Sequence, residues 1–165
     1  SLVDRIPEYQ LVVVGAGPER SRLDRFVTNR QITNVTFVGH KENPEQYYNF
    51  FDAFLLTSKI EGTPLTIVEA MMCGIPVFTM PAGEIEYNYS EVEGVTILTG
   101  SAEEDASKIK GFDYSRFDKN NMINFSKNMH GIEGVKKRFF DALSCSGLPE
   151  SPQNDDSFLL PGVYV

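Results

Sequence analysis

Cysteine and histidine are scarce in this chain, two of each among 165 residues. Cys73 and Cys145 cannot build a disulfide framework, and two histidines are few for a metal site. Cys73 stands in the apolar run Ala70-Met71-Met72-Cys73 and reads as a packed thiol of a reducing compartment. Long hydrophobic runs are missing too. The longest uncharged stretch near the middle, 70–83, is too short to span a bilayer and is broken by Gly74, Pro76 and Pro81. The amino terminus, Ser1-Leu2-Val3-Asp4-Arg5, has no apolar core of signal-peptide length. The expectation is a soluble, cytoplasmic protein without a transmembrane segment. Positive charge is the third shortage. Fifteen Lys and Arg stand against 23 Asp and Glu, a formal charge of −8, which makes nonspecific binding to nucleic acid or anionic lipid electrostatically poor. Between Lys59 and Lys108 there is no basic residue, while Glu61, Glu69, Glu84, Glu86, Glu91, Glu93, Glu103, Glu104 and Asp105 all fall there. The last seven read as a solvated acidic face; Glu61 and Glu69 do not.

What is present suffices for one globular domain. Hydrophobic residues make up 41% and aromatics 12%, enough for a sizeable core. Short apolar β-branched runs at 11–14, 35–38, 53–57, 75–79 and 95–98 alternate with helix-like segments at 18–29, 44–51, 64–73 and 84–90. That is the pattern of an α/β fold with a parallel sheet covered on both faces. A last long helical stretch, 118–143, contains Gly131 and Gly134, where it is expected to break. The domain is therefore read as 1–143. Residues 144–165 form a tail: 144–157, with Pro149, Pro152, Asp155 and Asp156, is a linker, and 158–165 is apolar again and expected to dock.

Val14-Gly15-Ala16-Gly17-Pro18-Glu19-Arg20 ends a strand and opens a helix, like a phosphate-binding turn. A dinucleotide fingerprint would need a third glycine where Arg20 stands and an acidic residue where Val38-Gly39-His40-Lys41 follows the next strand. An NAD site is not expected. Gly15 and Gly17 serve either a tight turn alone or the close approach of a ligand to the backbone.

The informative segment is 58–76. Thr63 suits an N-cap and Pro64 the first helical position, while Gly74 supplies the stop before Pro76. The helix between is apolar on nearly all sides. Glu69 shares a face with Leu65, Met72 and Cys73 at helical spacing, where a carboxylate is costly to bury unless something bonds to it. Two readings stay open. Glu69 is a structural acid that caps amides or pairs with an arginine, or it accepts two hydroxyls from a ligand diol. In the second, Glu61 faces the same cleft across the amides of Gly62, Thr63, Pro64 and Leu65 at the positive helix end, an anion site without a basic side chain. Two carboxylates flanking such a cradle suit a nucleoside diphosphate sugar.

The string Glu61-Gly62-Thr63-Pro64-Leu65-x3-Glu69-Ala70-Met71-x2-Gly74-x-Pro76-Val77 closely resembles the signature of the retaining family-four glycosyltransferases, which have the GT-B fold. The likeness extends to Leu11-Val12-Val13-Val14-Gly15-Ala16-Gly17-Pro18, to Val35-Thr36-Phe37-Val38-Gly39, and to Tyr47-Tyr48-x3-Asp52-Ala53-Phe54-Leu55-Leu56-x-Ser58. It implies a Rossmann-like donor-binding domain, the carboxyl-terminal half of that fold. Glu69 would hold the ribose hydroxyls of a UDP-, GDP- or ADP-sugar. Glu61 would bind and place the sugar ring, as the catalytic carboxylate. Gly62, Thr63, Pro64 and Leu65 would meet the sugar and diphosphate through their backbone, with Gly15 and Gly17 nearby. Val38, Gly39, His40 and Lys41 would lie along the base. The resemblance further implies transfer of a hexose to a glycan, lipid or other acceptor with retention, as in polysaccharide biosynthesis, with no metal ion or other cofactor.

In that family another strand and helix precede the Leu11–Val14 equivalent, and that strand lies mid-sheet. A basic pair that neutralises the diphosphate follows it, and a separate amino-terminal domain binds the acceptor. This chain contains none of these, so it is expected to transfer sugar poorly or not at all by itself, and any contact with the cytoplasmic face of a membrane would come through the missing part. The alternative from another class is a noncatalytic Rossmann-like module that docks a protein partner through the acidic face at 84–105.

Overall fold

Five short strands, all parallel to their neighbours, organise the described residues: β1 (Leu11–Val14), β2 (Val35–Gly39), β3 (Phe54–Leu56), β4 (Val77–Thr79) and β5 (Val95–Ile97). They come from a computed structural model that describes residues 1–62 and 64–145, the side chains of 142–145 excepted. Thr63, expected as an N-cap, and the tail from 146 onward lie outside the described residues. The helices are α1 (Arg20–Asn29), α2 (Leu65–Met72), α3 (Ile85–Tyr89), α4 (Ala102–Lys110), α5 (Lys119–His130) and α6 (Ile132–Cys145), with 3-10 helices at Val3–Arg5 and Pro44–Phe50. The chain divides into two compact units, Ser1–Ser126 and Lys127–Val165, the second described to residue 145.

The strands lie where the apolar runs predict: β1 spans its run, β2 runs one residue further to Gly39, and β3, β4 and β5 are shorter than theirs. The expected single sheet is two sheets, β1-β2 and β3-β4-β5. A ladder needs a neighbour within hydrogen-bonding distance, and none joins the β1-β2 pair to β3-β4-β5 among the described residues. Within the larger sheet, side chains sort by the period of two. Val77 joins a core with Ile67, Ala70, Met71, Ile85, Tyr89 and Met122, on which Phe54, Leu56, Val95 and Ile97 also pack. Phe78 joins Ile6, Leu98, Ala106 and Ile109, with Ala53 and Leu55. Helices thus cover both faces: α2, α3 and α5 on one, α4 and the amino-terminal segment on the other. Among the described strands β4 alone is buried throughout; β1 and β3 are half-buried, less enclosed than their unbroken apolar sequence predicts, and β5, with Thr96 at its centre, is half-buried too.

Two elements differ in kind from expectation. The helix-like segment 44–51 is a 3-10 helix, its two adjacent aromatic pairs sending Tyr48 inward while Phe50 stays 82% exposed. The stretch read as a solvated acidic face contains α4. Its N-cap Ser101 accepts from the Glu104 amide, and Glu103, Glu104 and Asp105 occupy the first turn, where the helix dipole favours negative charge. Asp105 is buried and accepts from the amides of Thr99 (2.7 Å) and Gly100 (3.0 Å). That carboxylate is a structural acceptor.

In the second unit the break expected at the glycines falls at Gly131, between α5 and α6. The Gly131 amide still closes on Lys127 O at 2.8 Å, and Arg138 reaches back to the Asn128 carbonyl at 3.1 Å. No helix among the described residues is long and apolar enough to cross a membrane.

Candidate functional site

The segment between β3 and β4 places both glutamates. Pro64, extended at φ −73° and ψ 104°, is the N-cap of α2, so the helix starts one residue later than the expected Pro64 start. The amides of Leu65 and Thr66 belong to the first turn and have no acceptor within the helix. At the other end, Gly74 adopts φ +66°. Its amide bonds Met71 O and that of Ile75 bonds Ala70 O, the Schellman pair that ends the helix. A side chain at Gly74 would also meet Lys119 and, at 3.0 Å, Ile123.

Burial divides α2 sharply. Ile67, Val68, Ala70 and Met71 are buried, while Leu65 is 68% and Met72 37% exposed. Glu69 lies between these two on the open face and is itself exposed. The expected conflict of a carboxylate in an apolar setting therefore does not arise, because the helix turns its Leu65-Glu69-Met72 stripe outward. Of the two readings left open, capping of amides and pairing with an arginine find no bond among the described residues. Glu69 instead accepts from the Tyr48 hydroxyl, Oη to Oε2, at 2.8 Å. Burial, and then the bond to this carboxylate, push the Tyr48 phenol well above its usual pKa.

Glu61 is half-buried and Gly62 exposed. Their backbone lies against the turn after β4. Gly83 has φ +60°, and a β-carbon there would overlap the Glu61 carbonyl oxygen and come within 3.1 Å of its carbon. Gly83 is thus the floor on which the Glu61 loop rests. Sequence reasoning gives neither Tyr48 nor Gly83 a role of its own. A glycine closing Pro81-Ala82-Gly83 after a strand is a signal for the second; nothing local points to the first.

The remaining expected residues gather at the carboxyl ends of β1 and β2. The Gly15 amide donates to Gly39 O at 2.9 Å, tying the two turns together. Among the described residues the space beside the α-carbons of Gly15, Gly17, Gly39 and Gly62 is open: a methyl group on any of them would find nothing within 4 Å. Val38 and Lys41 are half-buried and His40 is exposed. Arg20 is committed elsewhere, to Asp24 at 2.9 Å and over the Phe37 ring at 4.4 Å. Among the described residues no hydrogen bond joins the β1–β2 turns to the 61–69 segment. Both groups nonetheless sit at carboxyl ends of parallel strands, the edge where open α/β sheets bind ligands.

A family model described as "Glycosyl transferases group 1" matches residues 1–129. The O-antigen biosynthesis glycosyltransferase WclY of Escherichia coli is 36% identical over 69 residues, 41% of this chain and 20% of that protein. The UDP-N-acetylglucosamine–peptide N-acetylglucosaminyltransferase GtfA subunit of Streptococcus parasanguinis is 29% identical over 111 residues, 66% of this chain and 22% of the relative. The match thus spans about a fifth of these curated relatives. Among solved structures, the lipopolysaccharide outer core galactosyltransferase WaaB in its apo form superposes with a TM-score of 0.68 at 20% identity, covering 87% of this chain and 44% of the other. The pneumococcal O-GlcNAc transferase GtfA in complex with UDP and GlcNAc gives a TM-score of 0.64 at 20% identity, covering 87% and 31%. At such identities the superpositions establish the shared fold.

Proposed function

The chain belongs to the glycosyl transferases group 1 family, with the fold of the carboxyl-terminal domain of its GT-B members, and from that premise we propose that it binds the nucleoside diphosphate sugar donor of a retaining glycosyltransferase. The observation that carries this reading is the open stripe of α2, where an exposed carboxylate, Glu69, stands one turn from the Leu65 and Thr66 amides, which have no acceptor within the helix. The ribose hydroxyls donate to Glu69. The diphosphate lies over the Leu65 and Thr66 amides, whose dipoles favour its charge without a metal ion. Glu61 holds the sugar hydroxyls, and the turns at Gly15, Gly17, Val38, Gly39, His40 and Lys41 bound the base. GtfA, a protein of this fold, is in complex with UDP and GlcNAc, which supports a nucleotide-sugar ligand for this fold.

Transfer then follows on the same face. The acceptor oxygen bonds the anomeric carbon as its bond to the diphosphate oxygen breaks, and the acceptor proton passes to that leaving oxygen. The acceptor site belongs to a separate domain. For a hexose donor, Glu61 keeps the anomeric carbon in line with that oxygen.

The two carboxylates have separable signatures in titration calorimetry. Glu69→Ala is expected to cost about 1.5–3 kcal/mol, the range for hydrogen bonds to charged groups, with UDP, GDP or ADP as well as with the sugar nucleotide. Glu61→Ala is expected to weaken the sugar nucleotide and leave the free diphosphate nearly unchanged. Equal losses for both ligands in both variants would overturn the division of roles. A folded chain that gives no thermal shift with any of these ligands at millimolar concentration would favour the partner-docking alternative.

Charge sets the scale of affinity. The chain carries −8, the ligand brings two to three further negative charges, and a helix end offsets only about half a unit charge. A Kd no tighter than about 0.1 mM, or 5.5 kcal/mol, is expected for the chain alone. Binding should strengthen as salt is raised toward physiological ionic strength, because repulsion is screened. Micromolar binding that weakens with salt would mean that Lys41 or another cation lines the phosphate site.

A further inference from the structure

We propose that Tyr48 is a positioning residue for the donor site: its hydroxyl holds Oε2 of Glu69 and leaves Oε1 to receive the ribose hydroxyls. The inference rests on the reading of Glu69 as the ribose carboxylate and adds the group that makes it selective.

The geometry is built from the core outward. Tyr48 is only 7% exposed. Its ring lies edge-on to Phe51 at 6.2 Å and tilted to Phe54 at 5.8 Å, within the same core as Ile67, Ala70 and Met71 on the inner face of α2. A ring so enclosed has one rotamer, and its hydroxyl emerges at a fixed point where α2 turns from its buried to its open face. Two acceptors lie near it: Glu69 Oε2 at 2.8 Å and the Thr66 carbonyl at 3.4 Å. A phenol has one hydrogen, and the shorter, charge-assisted contact takes it. Among the described residues Oε1 accepts no bond.

An exposed glutamate on a helix samples several rotamers, and a ligand that needs one of them must offset the lost freedom. Tyr48 removes most of that freedom before the ligand arrives. Because the phenol stays protonated well above neutral pH, it acts as a donor throughout the range in which nucleotides are bound. It also makes Oε2 a poorer acceptor, so a diol is read chiefly through the single oxygen left open. A nucleotide lacking the 2′-hydroxyl gains little from a carboxylate poised in this way.

The test uses the 165-residue chain, UDP, GDP and ADP, and their 2′-deoxy forms, in titration calorimetry. Tyr48→Phe keeps the ring and its packing, so the variant retains the fold. Affinity for the ribonucleotide that binds is expected to fall about three- to tenfold, the worth of one hydrogen bond, and affinity for its 2′-deoxy form by less than about twofold. In a Glu69→Ala background, which leaves the hydroxyl no carboxylate to hold, the same change is expected to add no further loss. A merely structural tyrosine would lower thermal stability without moving the ratio of the two nucleotides. Unchanged ribonucleotide affinity in Tyr48→Phe, or an equal loss for both nucleotides, would overturn the inference while Glu69→Ala still supports the donor site. If the wild-type chain binds none of the nucleotides, or Glu69→Ala binds them as well as wild type does, the donor-site reading falls and takes the inference with it.

Discussion

Replacement of Gly83 by alanine is expected to lower stability by about 2–5 kcal/mol, a left-handed backbone penalty and an overpacking penalty added together. The backbone at Gly83 has φ +60°, and the new methyl would overlap the carbonyl oxygen of Glu61. The obstacle is main chain, so no rotamer change relieves it; the 61–62 loop or the 80–84 turn must move. Urea unfolding should therefore report the loss. In whatever fraction remains folded, displacement of Glu61 should weaken sugar-nucleotide binding more than Glu61→Ala does, because the amides beside it shift as well. The comparison is Gly62→Ala across the same contact, where nothing lies within 4 Å, and stability is expected to stay within about 0.5 kcal/mol of wild type. A Gly83→Ala protein that unfolds with the wild-type midpoint would show that the two loops do not touch.

The second large effect concerns Asp105→Ala. This carboxylate is 3% exposed and accepts from the amides of Thr99 and Gly100 and, at 3.2 Å, from the Thr99 hydroxyl. Removing it strands two backbone donors beneath α4, at about 1–3 kcal/mol each. A loss of about 2–6 kcal/mol by calorimetry is expected, and Asp105→Asn, which keeps one acceptor oxygen, should recover roughly half. The neighbouring Glu103 behaves oppositely: its ion pair with Arg5 is long, 3.9 Å, and solvated, with Glu103 78% exposed. Glu103→Ala should change little, since such pairs contribute about 0–1 kcal/mol. Equal effects at 103 and 105 would refute the assignment.

These two acids, two positions apart, show where composition misleads. Counting charge between Lys59 and Lys108 groups Asp105 with its neighbours as solvent-facing. The Ser101-x-x-Glu104 spacing is nevertheless a capping signal for a helix, masked because the acidic run around it resembles a surface loop. Whether an acid in a first helical turn faces water or the preceding loop depends on the helix's rotation about its axis, which a run of three consecutive acids leaves open.

The α/β class, the five strands and the segment that presents Glu61 and Glu69 are legible in the chain, because each depends on local chemistry: β-branched runs, a proline at a helix start, a glycine at its end. The family likeness draws on the same short-range order and spacing. Three features are not. The division into two sheets depends on which strands find neighbours across the fold. The exposure of Leu65, Glu69 and Met72 on a helix that is apolar on nearly every side depends on which face the β3-β4-β5 sheet covers, and the sequence of α2 favours none strongly. The partners of the two glutamates, Tyr48 for Glu69 and Gly83 for Glu61, stand 21 and 22 residues away, and contacts over such separations arise only when separate elements pack. Local preference could place the carboxylates at one end of a sheet; packing alone oriented them.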